Sequence, residues 1–97
     1  MIRVILPAHL RSLAGVSGEV EVDAGTVPTI GSTIEALETA HPVLSGTMRL
    51  PDGTRRPLVR FYACSQDLSH EPPETSLPAE VVQGREPFLV IGAMAGG

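Results

Sequence analysis

Phe88-Leu89-Val90-Ile91-Gly92-Ala93-Met94-Ala95-Gly96-Gly97 is the stretch that decides the fold. From Phe88 to Ile91 and on to Met94 no polar residue interrupts it. A half-exposed strand alternates apolar and polar side chains, whereas a central strand covered on both sides reads as one apolar run. The stretch is therefore expected to be a central strand, with Ala95, Gly96 and Gly97 leaving it as an extended tail. A central strand needs an apolar neighbour, and Ile2 to Leu6 is the other continuously apolar, β-branched segment. The first and last strands are expected side by side in the middle of the sheet.

The remaining elements arrange themselves around that pair. Glu19 to Asp23 alternates charged and apolar residues and reads as a half-buried strand, joined to the first by a connection holding Gly15 and Gly18 in a plausible hairpin. Leu10 and Leu13 are apolar enough to tuck under that connection. Thr29 to His41 places Ile30, Ile34, Leu37 and Ala40 at helical spacing with Glu35 and Glu38 opposite, the one clear amphipathic helix. Ser32 with Glu35 matches a capping box, Thr29 competes as the cap, and Pro42 ends the helix. Pro51-Asp52-Gly53 signals a turn, after which Leu58 to Cys64 reads as a strand with Val59, Phe61 and Ala63 on one face and Leu58, Arg60 and Tyr62 on the other. Ser65 to Pro78, with Pro72, Pro73 and Pro78, reads as an irregular surface excursion before a short turn at Ala79 to Gln83. One helix over one sheet face makes an α+β, two-layer domain spanning 1–97, with a mixed sheet of four to five strands.

Composition narrows the function. A chain of 97 residues holds one modest core, and 42% hydrophobic with 19% charged residues is an ordinary globular balance. The net charge is -4, and the seven cations are scattered arginines with only Arg55 and Arg56 adjacent. No basic stripe is available for nucleic acid or an anionic membrane, while a basic protein partner would be steered favourably. The apolar run Val4 to Leu6 is too short for a signal peptide or a membrane span, so a cytoplasmic setting is expected. Cys64 is the single cysteine, which removes any internal disulfide and any cysteine metal cage. Absence of lysine removes a P-loop, a Schiff base and an internal isopeptide acceptor. The weaker chemical signals read as ordinary structure. Asp67, Ser69 and His70 lie within one loop without an elbow motif, His9, His41 and His70 lack an i, i+4 pairing, and no metal is assigned. Cys64 reads as a passive side chain at a strand end, with Arg60 the only nearby cation.

Ala8-His9-Leu10-Arg11-Ser12-Leu13-Ala14-Gly15 after a first strand, the strand and turn from Phe61 to Leu68, Gly84-Arg85-Glu86 before the last strand, and the terminal Ala95-Gly96-Gly97 together resemble the sulfur-carrier family. That family contains the small subunit of molybdopterin synthase and the thiamine-biosynthesis sulfur carrier, MoaD and ThiS. The resemblance covers nearly the whole chain, and the tail is its sharpest part. It implies a ubiquitin-like β-grasp fold. It further implies that Gly97, with Gly96 beside it, is adenylated by a partner related to ubiquitin-activating enzymes. A sulfurtransferase would then supply sulfur for a thiocarboxylate, and the large subunit of molybdopterin synthase is the acceptor it favours. Gly92 and Ala93 stand where the family often has proline, and the Ser65 to Gln83 excursion is longer than in compact members.

The chemistry explains such a tail. A terminal carboxylate has a pKa of about 3.3 to 3.7, is ionised at neutral pH and is a poor electrophile until activated. With no phosphate-binding loop and no lysine here, no cofactor is expected on this chain and the ATP belongs to the activating partner. Glycines 96 and 97 lack a Cβ and fit a narrow active site. Ordering each tail residue costs on the order of 1 to 2 kcal/mol, which docking of the domain must offset. The outward residues Leu58, Arg60, Tyr62, Leu89 and Ile91, continuing through Met94 and Ala95, are the expected docking surface. Carriage of sulfur to thiamine or another metabolite, attachment of Gly97 to lysines of target proteins, and a binding module with an inert tail are the competing readings.

Overall fold

The computed structural model of the chain describes residues 1–92. Met94, Ala95, Gly96 and Gly97 lie outside the described residues. The elements run β1 (Ile2–Ile5), α1 (Ala8–Ala14), β2 (Val20–Val22), α2 (Ile30–Ala40), a 3₁₀ turn (Pro42–Leu44), β3 (Val59–Ala63), β4 (Gln66–Asp67), α3 (Ala79–Val82) and β5 (Phe88–Gly92). The strands form one mixed sheet in the order β2-β1-β5-β3-β4. β1 and β5 are parallel, with Val4 opposite Phe88 and Ile5 opposite Leu89, and the other pairings are antiparallel. The expected α+β architecture and the central pairing of first and last strands are what the chain adopts.

Period-two alternation drives Ile2, Val4, Val20, Val22, Phe61, Phe88 and Val90 to one face, where they form a single core with Ile30, Ile34 and Leu37 of α2. The Phe61 and Phe88 rings lie 5.5 Å apart and tilted by 41° at its centre. Leu44 and Met48, fully buried, fill the space past the end of α2.

The structure refines four local expectations. β1 and β2 pair antiparallel as expected of a hairpin, but the connection between them is a helix, α1. Gly15 ends it in the left-handed conformation at φ 72°, with Gly15 N–H donating to Ser12 O and Val16 N–H to Arg11 O. That pair of bonds is a Schellman cap, which needs the freedom of glycine. Leu10 is buried as expected, but Leu13 points outward and stays 48% exposed.

The cap of α2 is Thr29. Its hydroxyl accepts from Ser32 N–H at 3.0 Å while Ser32 Oγ accepts from Thr29 N–H at 2.8 Å, so Ser32 takes the role that a Glu or Gln usually has and Glu35 stays outside the box. Thr29→Ala is expected to destabilise the fold by about 1 kcal/mol, read as a lower urea midpoint with unchanged slope.

The excursion after β3 is more ordered than its prolines suggest. It carries β4, buries Leu68, Ser69 and Leu77, and supplies the carbonyls of Pro73 and Thr75 to the first N–H groups of α2, at 2.8 Å from Gly31 and 3.0 Å from Ile30. A Cβ at Gly31 would stand 3.1 Å from Pro73 O, so this crossing is close enough to favour glycine there. Finally, β5 is central in order but covered on one face only: Phe88 and Val90 are buried, while Leu89 is half-buried and Ile91 is 48% exposed. The longest helix among the described residues, α2, packs on the opposite face, so the apolar character of Leu89 and Ile91 is not spent on the core.

Candidate functional site

The uncovered sheet face beside the end of β5 collects the residues expected to dock a partner. Register places Ile5, Leu89, Tyr62 and Asp67 in one row across β1, β5, β3 and β4, and Ile91 opposite Arg60 in the next row. Leu58 precedes β3 and extends the surface toward the end of β5. Ile91 and Leu58 are 48% and 56% exposed, while Ile5, Leu89 and Tyr62 are half-buried. The result is an apolar ridge with one cation and one anion at its flank. Arg60 Nη1 and Asp67 Oδ2 are 3.4 Å apart and both well exposed, a geometry worth little in stability that leaves Arg60 open to exchange its partner.

All five described candidates, Leu58, Arg60, Tyr62, Leu89 and Ile91, are thus brought to one surface. Two members escaped sequence reading. Ile5 was hidden inside an apolar run, and Asp67 lay in a segment read as irregular; the alternation Val4, Ile5, Leu6 was the available signal for the first.

At the root of the tail, Gly92 sits against α1. A Cβ there would fall 2.9 Å from His9 Cε1 and 3.5 Å from Pro7 Cγ. The last described residue is therefore held by the segment that follows β1.

Cys64 does not serve this site chemically. With Ser65 it forms the tip between β3 and β4, both at positive φ, 52° and 62°, as a two-residue hairpin with matching twist demands. Partial burial, and then the Glu80 carboxylate, push its thiol pKa upward, opposite to what a sulfur nucleophile needs. Asp67, Ser69 and His70 form a turn: Asp67 Oδ1 accepts from Ser69 N–H at 2.8 Å, and Ser69 Oγ accepts from Phe61 N–H at 2.9 Å. Among the described residues no group of three His, Cys, Asp or Glu could hold a metal ion, and no helix is long and apolar enough to cross a membrane.

The electrostatics bear on acid stability. Hydrogen bonds from Ser69 hold the Asp67 carboxyl below its ordinary pKa, those from Thr54 do the same for Asp52, and the Arg3 guanidinium does so for Glu19 across a 2.6 Å pair. Each folded pKa lies below its unfolded value, so each contribution is present above the unfolded pKa and lost as pH falls through the folded one. Stability is expected to be flat near neutrality and to decline below roughly pH 4. Urea midpoints across pH checks this, and replacing Asp67 and Asp52 by Asn should flatten the decline.

No family model and no curated protein sequence matches the chain. Solved structures do. Small archaeal modifier protein 1 of Haloferax volcanii superposes with a TM-score of 0.73 at 21% identity, covering 95% of each chain. CysO of Mycobacterium tuberculosis, described as an antigen, gives 0.75 at 21% identity over 97% of this chain and 100% of that one. The BexX/CysO complex of Amycolatopsis orientalis gives 0.71 at 19% identity with both chains fully covered. At these identities the likeness establishes architecture, and the architecture is the ubiquitin-like β-grasp.

Proposed function

We propose that the chain is a sulfur carrier whose Gly97 carboxylate is activated and thiolated by partner enzymes. The observation that supports this best is the uncovered ridge of Leu58, Leu89 and Ile91 beside the end of β5, the strand that leads directly into the segment 93–97 ending in Gly96 and Gly97. A partner that grips the ridge receives the tail at a defined distance from the grip. In the first step a Gly97 carboxylate oxygen attacks the α-phosphorus of ATP and pyrophosphate leaves. In the second, the terminal sulfur of a persulfide on the sulfurtransferase attacks the acyl carbon and AMP leaves; a reducing thiol then cleaves the acyl disulfide so formed, releasing the thiocarboxylate and leaving a disulfide on the enzyme. ATP is bound by an adenylyltransferase of the ubiquitin-activating type, and a sulfurtransferase supplies the sulfur. The large subunit of molybdopterin synthase is the acceptor favoured by the resemblance in sequence, with thiamine or another sulfur metabolite as the alternative destination.

Intact-mass measurement on protein isolated from its own host tests the reading. Replacement of one oxygen by sulfur, localised to Gly97, supports it, and its absence under sulfur-replete, pathway-active conditions counts against it. The ridge has its own test. Ile91→Asp, which places a charge on a half-exposed position outside the core, is expected to leave the fold intact and slow activation roughly 30-fold, the loss that accompanies a central interface residue worth about 2 kcal/mol. Steady-state adenylation rates against carrier concentration check it.

A second reading is favoured by the likeness to a protein named as a modifier: the same activated Gly97 is joined to lysines of target proteins. Having no lysine, the chain would attach singly rather than as internal-lysine chains. Conjugates in host extract, seen as one carrier mass added per target site, distinguish it.

A further inference from the structure

We infer that the outer edge of β2, with the groove between it and α2, is a second interaction surface that takes an extended, cation-bearing polypeptide segment as a sixth strand. The sheet order leaves β2 at an edge, so alternate N–H and C=O groups of Val20–Val22 face away from β1 without a strand partner among the described residues. Such an edge templates pairing with another backbone. Beside it lies a groove of about 470 Å3. Its floor is small and apolar: Val22 and Ala24 are buried in the core and Ala36 packs against it. Small side chains leave the room that an added strand's own side chains would occupy.

Charge selects the occupant. Glu21, Asp23 and Glu35 line the groove, all three exposed, and no Arg or His does. The nearby Arg3 is already committed to Glu19 and to Gly84 O. A second copy of the chain would bring the same three carboxylates against these, which disfavours edge-to-edge self-pairing. A phosphate backbone or an anionic lipid surface is repelled for the same reason, and the carboxylates form no metal cluster. What remains is a peptide with apolar side chains toward the floor and Lys or Arg toward the rim. This surface lies across the sheet from β4 and apart from the Leu58–Ile91 ridge, so it can be occupied while the ridge is engaged, and it stands whether or not the sulfur-carrier reading does.

The test is a titration of the isotopically labelled full chain, followed by amide chemical shifts, with the synthetic peptide acetyl-Arg-Val-Lys-Val-Arg-Val-amide and its counterpart carrying Glu at each basic position. Expected are saturable shifts confined to 20–24 and 32–40, slower solvent exchange of β2 amides, and no binding of the acidic peptide. Raising the salt should weaken binding, and Glu21→Lys with Glu35→Lys should weaken it roughly tenfold or more, two exposed ion pairs being reversed. Should that variant misfold, the salt series on the unaltered chain decides. No saturable shift, shifts centred on Leu89 and Ile91, equal binding of the acidic peptide, or salt-independent binding each overturns the proposal, as does a concentration-dependent dimer through β2.

Discussion

A chain lacking only Gly97 is expected to melt where the full chain melts and to show no detectable adenylation. The first half follows from the core: the buried residues of β5 are Phe88 and Val90, seven or more positions before Gly97. The second half follows from reach. Deleting one residue withdraws the carboxylate by up to about 3.5 Å, whereas a misplacement of about 1 Å already costs on the order of 100-fold in a reaction that depends on positioning. Anchoring of Gly92 against His9 and Pro7 makes the withdrawal harder to recover, since the root of the tail cannot slide outward without opening that contact. Gly97→Ala keeps the length and adds a Cβ, so it should retain part of the activity. Pyrophosphate release with the cognate adenylating partner measures both variants. If the shortened chain is activated as fast as the full one, the tail is not the reactive handle and the inert-module reading takes its place.

How much of this was legible in the sequence depends on whether the signal was local. The alternation of Val59, Phe61 and Ala63 against Arg60 and Tyr62 encodes one buried face directly, and the structure honours it. So does the helical spacing of Ile30, Ile34 and Leu37. The exposed ridge was legible for the same reason, since strand phase alone divides inward from outward residues. What escaped was held by distant partners. Ser69 takes a ladder position by accepting from Phe61 N–H, and Pro73 and Thr75 cap α2 through carbonyls that no sequence pattern marks. The all-apolar run of β5 misled in a different way. Leu89 and Ile91 are apolar without being covered, and a sequence records hydrophobicity, not which molecule will satisfy it.

That distinction sets up the largest expected effect on stability. Phe88→Ala should destabilise the fold by about 3 to 5 kcal/mol, a large share of the roughly 5 to 15 kcal/mol that holds a domain of this kind together. Phe88 is fully buried, its ring meets Phe61, and its strand is bonded on both sides, to β1 and to β3. Neither neighbour can collapse into the void without breaking register. A fall in melting temperature of about 15 °C or more is expected for a chain of this size. Ile91→Ala, three residues along the same strand, removes a side chain that is 48% exposed and should cost about 1 kcal/mol or less. The contrast is the informative quantity. Near-equal losses would mean that the second face of β5 is packed, leaving no ridge for a partner. A large gap between the two, with Ile91→Ala slowing activation while Phe88→Ala mainly unfolds the chain, assigns one face of β5 to the fold and the other to whatever docks beside the tail.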